Sequence, residues 1–182
     1  RARIDVCGEL LEVDIPAAGF HQLHNALAAA AAARAMGASL DEIRSGLAAL
    51  ELPGRRMRIE RVGEITVIDD SYNANPASVA AALETLARAK AGGRRVVVLG
   101  DMLELGQAEG ELHADVGVTA RNLGVDLLVG AGSLMARAVQ EAQAGGLTSY
   151  SVPDSEAAGR LLSDLLQPGD VLLLKGSRGM RM

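Results

Sequence analysis

From about residue 64 onward, short aliphatic segments alternate with longer, alanine-rich segments of helical periodicity. This alternation constrains the fold more than any other feature of the chain. After a first strand at 64–69, a predicted helix precedes each further strand, and these strands lie at 95–99, 126–129, 148–152 and 170–174. Strands separated by helices form βαβ units with parallel strands. We therefore predict an α/β fold with a mostly parallel sheet and helices on both faces.

The beginning of the chain has a different organisation. The pattern predicts a strand at 10–15, a helix at 22–36, and a second helix that begins at a capping box formed by Ser39 and Glu42. The segment Leu52-Pro53-Gly54 breaks the helical pattern, and we place a domain boundary there. The predicted domains are therefore 1–52 and 53–182. Directly after the boundary, 57–62 and 64–69 are expected to pair as a hairpin across Gly63.

Composition restricts the class of protein. Hydrophobic residues make up 49% of the chain but aromatic residues only 2%, so the core must be aliphatic. The net charge of −5 argues against a nucleic-acid partner. A single cysteine, Cys7, indicates a reduced, cytoplasmic protein, and no apolar run approaches the roughly 20 residues that cross a bilayer, so no membrane insertion is expected.

The segment Ile68-Asp69-Asp70-Ser71-Tyr72-Asn73-Ala74-Asn75-Pro76 carries the strongest functional signal. It joins the carboxyl end of a predicted strand to a predicted helix, for which Asn75 is the expected cap. Ligands of open α/β sheets bind at such positions. Two acids, a hydroxyl, a phenol and two amides exceed what a turn requires, so we interpret the segment as a binding loop. The alternative is a cluster of cap and turn residues that satisfy one another.

Two more loops follow predicted strands at the same edge of the sheet. In the loop after residue 99, Asp101 and Glu104 could coordinate a cation or receive an amine, or could be solvated acids. In the loop after residue 174, Lys175, Ser177 and Arg178 surround glycines and could form an anion cradle, or could be solvated charges. The three loops can converge on one crevice that is acidic and amide-rich on one side and basic on the other.

Other motifs point away from common nucleotide sites. Gly130-Ala131-Gly132 lacks the third glycine of a dinucleotide fingerprint, and the chain contains no GxxxxGK[ST] phosphate loop. His113 lies within a predicted helix and is expected to be an exposed or half-buried helix residue rather than a base. The chain begins at Arg1 without a Met and stops soon after a strong strand. We therefore expect a piece of a longer polypeptide, with any phosphate loop elsewhere in it.

Together, the 68–76 loop, the segment Gly100-Asp101-Met102-Leu103-Glu104-Leu105-Gly106 and the segment Lys175-Gly176-Ser177-Arg178-Gly179 resemble the Mur ligase family. These enzymes are ATP-dependent amide-bond ligases of peptidoglycan precursor synthesis. The resemblance extends over 19–182 and is strongest to the branch that adds D-alanyl-D-alanine to UDP-N-acetylmuramoyl-tripeptide through an acyl phosphate. It implies that 1–52 ends the central ATP-binding domain and that 53–182 is a truncated, Rossmann-like C-terminal domain.

The resemblance also implies roles for individual residues. The family pattern Gly-x-His-Asn-x-x-Asn-Ala is matched at Gly19, His21, Asn25 and Ala26, whereas Gln22 replaces its first Asn. It implies that Asn25 contacts adenine, that Arg55 (or Arg56, in the other register) lies near ribose or phosphate, and that Asp70 accepts from the ribose hydroxyls. The implied substrate-binding residues are Ser71, Tyr72, Asn73, Asn75, Asp101, Lys175, Ser177 and Arg178. ATP and Mg²⁺ are the implied cofactors, with the metal ligands outside this chain; no catalytic residue is assigned.

Two alternative functions remain open at this point. The chain could belong to a sister ligase, such as the diaminopimelate- or lysine-adding enzyme or folylpolyglutamate synthase. It could also be a non-catalytic module that binds a nucleotide or a peptide. A phosphate loop in the upstream reading frame would favour a ligase.

The missing phosphate loop leads to a first prediction. The 182-residue chain by itself should show neither ligase nor ATPase activity, because it contains no segment that can cradle a triphosphate. The measurement is ADP release by the purified chain in the presence of ATP, compared with a background without protein. Release above that background, from a preparation free of contaminating ATPase, would contradict the prediction.

Overall fold

The computed structural model describes residues 2–16, 19–50, 54–90 and 92–182, with only the backbone described for Phe20 and His21. The chain divides into two compact units, Arg1–Pro53 and Gly54–Met182. The breakpoint residues Leu52 and Pro53 lie outside the described residues. Each unit is considered by itself below.

The first unit is a β-hairpin with two helices. Strands β1 (Ala2–Val6) and β2 (Glu9–Val13) are antiparallel, and helices α1 (Phe20–Ala35) and α2 (Leu40–Ala48) follow. Cys7 and Gly8 have φ values of 56° and 87°, as a type I′ hairpin turn requires. The sequence predicted β2 but missed β1, because charged residues hide its short alternation of Ile4 and Val6.

The predicted capping box starts α2. The Glu42 amide donates to Ser39 Oγ at 3.3 Å, and the Ser39 amide donates to Glu42 Oε2 at 2.8 Å. The hydrogen bond from the Ser39 backbone is the main cause that lowers the pKa of the Glu42 carboxyl. The buried core of this unit joins the hairpin to both helices and consists of Ile4, Val6, Leu11, Val13, Ala26, Ala30, Ile43 and Leu47.

The second unit contains a six-stranded sheet. Its strands are β3 (Arg58–Val62), β4 (Ile65–Asp69), β5 (Arg95–Gly100), β6 (Leu127–Ala131), β7 (Ser149–Val152) and β8 (Val171–Lys175). Its helices are α3 (Pro76–Arg88), α4 (Glu109–Asn122), α5 (Met135–Ala144) and α6 (Ser155–Leu165). Each helix that the sequence predicts is present, with ends that differ by a few residues; the predicted end of α3 at Ala91 lies outside the described residues.

The strand order is β3-β4-β8-β5-β6-β7. Strand β3 is antiparallel to β4, as the predicted hairpin requires, and all the other neighbours are parallel. The prediction of a mostly parallel sheet is therefore confirmed. Because β8 lies between β4 and β5, the loops that follow these three strands are neighbours at the carboxyl edge of the sheet.

Helices cover both faces of the sheet. On one face, Val96 and Val129 pack with Ala158 and Leu162 of α6. On the opposite face, a Cβ atom at Gly130 would lie 2.7 Å from Val139 Cγ2 of α5, so only glycine permits this approach. None of the described helices is long and apolar enough to cross a membrane.

A buried carboxylate joins the start of β8 to the start of β5. Asp170 is only 1% exposed and accepts hydrogen bonds from the Arg94 amide at 3.0 Å, the Arg94 guanidinium at 2.8 Å and the Gln167 amide at 2.9 Å. Burial of the Asp170 carboxyl opposes its ionisation, but these hydrogen bonds outweigh burial and lower its pKa from the ordinary 3.8.

Replacing Asp170 by Asn should therefore destabilise the second unit by roughly 1.5–3 kcal/mol at pH 7, the range for a hydrogen bond to a charged group. A carboxyl whose pKa is lower in the folded state stabilises that state above the pKa of the unfolded chain, and this contribution is lost as the pH falls. The difference between wild type and Asp170→Asn should thus shrink below the ordinary pKa of 3.8. Urea unfolding at pH 7 and at pH 3 measures both quantities.

Glu156→Gln is the matched control, because it removes an exposed carboxylate that pairs with Arg160 at 2.5 Å. The two side chains are 83% and 66% exposed, and such a pair contributes less than about 0.5 kcal/mol. Equal losses for the two variants would show that the buried position of Asp170 does not matter.

Candidate functional site

The loops after β4, β5 and β8 converge on one cleft of about 510 Å³. The cleft is lined by Tyr72, Asn73, Ala74, Asn75, Leu103, Glu104, Leu105, Ser177, Arg178 and Gly179. The expected convergence of the three loops is therefore confirmed. Of the predicted substrate-binding residues, Tyr72, Asn73, Asn75, Ser177 and Arg178 belong to this lining.

Ser177 holds the three loops together. Its hydroxyl accepts from the Leu103 amide at 2.9 Å and donates to the Ala74 carbonyl at 3.4 Å, and its own amide donates to the Asp101 carbonyl at 3.2 Å. The residue is only 2% exposed. The structure thus uses the Ser177 hydroxyl within the protein, where buried polar groups must find partners.

Lys175 is buried beneath the cleft rather than free within it. Its ammonium donates to Asp70 Oδ2 at 2.6 Å and to the Asn73 carbonyl at 2.8 Å, and the Lys175 side chain is 3% exposed. The amide of Met57 donates to the other carboxylate oxygen of Asp70 at 3.2 Å. The expectation of a free Lys175 cation in an anion cradle is corrected here, because a buried ammonium requires a paired acceptor.

The 68–76 loop combines local hydrogen bonds with exposed side chains. Ser71 is 7% exposed, and its hydroxyl and amide donate to Asp69 Oδ1 at 2.5 and 3.0 Å. Tyr72 is 42% exposed, and the Arg56 guanidinium lies 4.5 Å from the centre of its ring. Ser71 therefore shapes the loop, while the Tyr72 ring faces solvent beside a cation.

The two asparagines of this loop differ in role. Asn75 is the cap of α3, as predicted. Its side-chain Oδ1 accepts from the Ser78 backbone amide at 2.8 Å, and its own backbone amide donates to Ser78 Oγ at 3.0 Å. Asn73 binds Lys175 through its backbone carbonyl and has an exposed side chain. The cap and binding interpretations of this loop are therefore compatible.

Asp101 caps a helix. Its carboxylate is buried at 6% exposure and accepts from the Met135 amide of α5 at 2.7 Å. A Cβ atom at Gly132 would lie 2.4 Å from that carboxylate, and Gly132 has a φ of 115°. The glycines of Gly130-Ala131-Gly132 thus serve packing and capping. The expectation that Asp101 binds a cation or an amine is therefore corrected, because its carboxylate binds the start of α5.

His113 is a residue that sequence analysis misjudged. The side chain is fully buried, so the expectation of an exposed or half-buried residue is wrong. Its Nε2 accepts from the Met102 amide at 2.9 Å, and Nδ1 contacts the Glu109 carbonyl at 2.6 Å, which assigns the proton to Nδ1. His113, Val116 and Ala120 follow helical spacing on the buried face of α4, and this signal could have identified the burial.

Two exposed side chains of opposite charge stand at the cleft. Glu104 follows Leu103, and Arg178 follows Ser177, so the Leu103–Ser177 hydrogen bond places them on adjoining segments. In the described part of the chain neither forms an ion pair. Glu104 has a φ of 66°, a left-handed conformation that is uncommon outside glycine. The loop motif makes Glu104 a candidate for a cation or an amine, but the family resemblance does not include it among the substrate-binding residues.

The residues expected at a nucleotide lie in both units. Arg55 has a side chain that is 63% exposed, and its guanidinium donates to the Met182 carbonyl at 2.6 Å. Asn25 is exposed on α1, and its side-chain Nδ2 donates to Gln22 Oε1 at 3.1 Å. The side chain of His21 lies outside the described residues. Within those residues, no cluster of three His, Cys, Asp or Glu side chains could hold a metal ion.

Comparison with known proteins agrees with this architecture. The family model described as "Mur ligase, glutamate ligase domain" matches residues 54–178. The UDP-N-acetylmuramoyl-tripeptide–D-alanyl-D-alanine ligase of Escherichia coli strain K12 is 38% identical over 175 residues, which cover 94% of this chain and 37% of the relative. The chain thus spans just over a third of the length of the curated relatives that it matches.

Solved structures give the same result. A crystal structure of MurF from Acinetobacter baumannii matches with a TM-score of 0.89 and 32% identity, covering 99% of this chain and 39% of that one. MurF ligase from Thermotoga maritima in complex with ADP matches with a TM-score of 0.80 over 98% of this chain and 40% of that one; at 24% identity it supports the fold alone. The chain belongs to the Mur ligase family.

Proposed function

We propose that this chain is the C-terminal part of an ATP-dependent ligase that joins D-alanyl-D-alanine to UDP-N-acetylmuramoyl-tripeptide. The observation that carries the proposal is the 38% identity, over 94% of the chain, to a relative of that name. On this proposal Gly54–Met182 is the C-terminal domain, and the first unit ends the central ATP-binding domain. The exposed free thiol of Cys7 accords with the cytoplasmic location that goes with this function.

For the first unit, considered by itself, Asn25 is the residue proposed for adenine. In the second unit, Arg55 and Asp70 are the residues proposed for ribose or phosphate. Asp70 fits this role because each carboxylate oxygen has two lone pairs and uses one for Lys175 or Met57. The Asp70 side chain retains 12% exposure, which leaves access for a hydroxyl. Mg²⁺ would neutralise phosphate charge when bound, with its ligands outside this chain.

The cleft is the proposed dipeptide site. D-Alanyl-D-alanine is a zwitterion with an ammonium at one end and a carboxylate at the other. Exposed Glu104 and Arg178 offer the matching charges from adjoining segments, and neither is neutralised by a described ion pair. Arg178 can bind a carboxylate through two parallel hydrogen bonds. The Tyr72 ring and the Asn73 and Asn75 amides complete a wall suited to a short peptide.

The proposed reaction proceeds in two steps. A terminal carboxylate oxygen of the tripeptide attacks the γ-phosphorus of ATP and ADP leaves. After the dipeptide ammonium loses one proton to solvent, its amine attacks the acyl carbon. The nitrogen then loses a second proton, and phosphate leaves with the former carboxylate oxygen as the amide bond forms. The contribution of this chain is orientation and charge complementarity, which lower the barrier without a covalent intermediate on the protein.

The proposed function can be tested on the intact ligase. Continuous ADP release over many turnovers should require both UDP-N-acetylmuramoyl-tripeptide and D-alanyl-D-alanine, because without the amine the acyl phosphate is not consumed. Diaminopimelate, lysine and glutamate serve as alternative amines in the same assay. Faster ADP release with one of these amines would instead identify a sister ligase.

Arg178→Lys tests the dipeptide site. The substitution keeps the positive charge but loses the bidentate fork, so the KM for D-alanyl-D-alanine should rise roughly tenfold, while the KM for ATP changes less. Initial rates of the intact ligase, with each substrate varied in turn, measure this difference.

Arg88→Lys is the matched control, since Arg88 is 66% exposed and pairs with Glu84 on the outside of α3. This control should leave the KM values for ATP, UDP-N-acetylmuramoyl-tripeptide and D-alanyl-D-alanine unchanged. Equal rises of all three values in Arg178→Lys would mean that its loop supports the active conformation in general. No rise at all would make Arg178 a solvated charge.

A further inference from the structure

Lys175 is buried, unlike a lysine that contacts a substrate directly. It is the last residue of β8, the strand between β4 and β5, and it pairs with Leu99 of β5 in the parallel register. The residue is only 2% exposed, whereas Arg178, three residues later, is exposed at the cleft. The two cations of this loop therefore face different environments.

The ammonium of Lys175 joins two functional parts of the loop after β4. It donates to Asp70 Oδ2 at 2.6 Å and to the Asn73 carbonyl at 2.8 Å. Asp70 is the residue proposed for the nucleotide, and Asn73 lines the cleft. One buried charge thus contacts both sides of the proposed site.

We propose that Lys175 is a positioning residue, which orients the Asp70 carboxylate for the nucleotide and fixes the Asn73 carbonyl at the wall of the peptide cleft. The inference rests on the proposed function and deepens it. It replaces the role of a substrate-binding cation for Lys175 with an indirect role that acts through Asp70.

Geometry and desolvation support this role. The Asp70 amide donates to the Leu174 carbonyl at 2.9 Å, so the ends of β4 and β8 are already aligned where the ammonium bridges them. The Met57 amide holds the second Asp70 oxygen at 3.2 Å, and the carboxylate is therefore fixed at both oxygens. A buried ion pair gives little net stability compared with apolar residues of similar volume. Orientation of the carboxylate is therefore the role that we assign to this ion pair.

The test is a double-mutant cycle on the intact ligase, with Lys175→Met, Asp70→Asn and the combination of both. Methionine matches the apolar stem of the lysine side chain without its ammonium, and the double variant contains neither charge. The main readout is the Kd for ADP from isothermal titration calorimetry. Each single variant should weaken ADP binding about tenfold, and the double variant should bind ADP as Asp70→Asn does, because residues that act through one another are not additive.

Steady-state kinetics provide a second readout. The KM for D-alanyl-D-alanine should rise by a smaller factor in Lys175→Met than the Kd for ADP, because the Asn75 cap and the Ser71–Asp69 hydrogen bonds still hold the loop. Lys90→Met is the matched control, as Lys90 is exposed just beyond α3. It should leave both values unchanged, and urea unfolding verifies that every variant is folded.

Two outcomes would overturn the inference. If Lys175→Met raises the KM for the dipeptide but leaves ADP binding unchanged, Lys175 is a substrate-binding residue. If the losses in ADP affinity multiply in the double variant, Lys175 does not act through Asp70. Should Lys175→Met be too unstable to assay, the double variant decides: an ADP affinity equal to that of Asp70→Asn supports the inference, and a further tenfold loss overturns it.

Failure of the proposed function would give a different result. The wild-type protein would then still bind added ADP, but its formation of ADP from ATP would not depend on the dipeptide. The ADP cycle would still be readable, and a non-additive result would still support the action of Lys175 through Asp70.

Discussion

The insertion of β8 between β4 and β5 is the constraint on which the rest of the second unit depends. Strand β8 forms parallel ladders with both neighbours, although it comes last in the chain. Ligand sites of open α/β sheets lie at the carboxyl edge, where adjacent strands continue into different loops. Here that edge joins three loops that are far apart in sequence, and residues at or just after the end of β8 contact both the Asp70 loop and the loop after β5.

Buried polar groups then hold these loops in place. Lys175, Ser177, Asp101 and His113 are each less than a tenth exposed, and each has partners in a loop or a helix end. Because an unpaired polar group in the interior is costly, these partners define one arrangement of the backbone. The groups left exposed at the cleft, Tyr72, Glu104 and Arg178, are therefore presented by a scaffold whose own hydrogen bonds are satisfied.

This division explains why charge alone was a poor guide to the site. Lys175 and Arg178 look alike in the sequence, as two cations among small residues. Strand pairing places one beneath the loop and the other at the cleft, since the ladder of β8 ends at Lys175. Asp101 and Glu104 divide in the same way, with the first capping α5 and the second lining the cleft. In both segments the charged residue nearer the strand is buried and the later one is exposed.

The sequence by itself determined the local elements, because helical periodicity, the Ser39 and Asn75 caps and the hairpin around Gly63 depend on neighbouring residues. Its motifs also indicated the family and the three loops of the cleft. Only the tertiary structure decided the strand order, the burial of His113 and the pairing of Lys175 with Asp70. These features depend on contacts between residues as much as 105 positions apart, and local patterns contain no information about which distant partner satisfies a buried group.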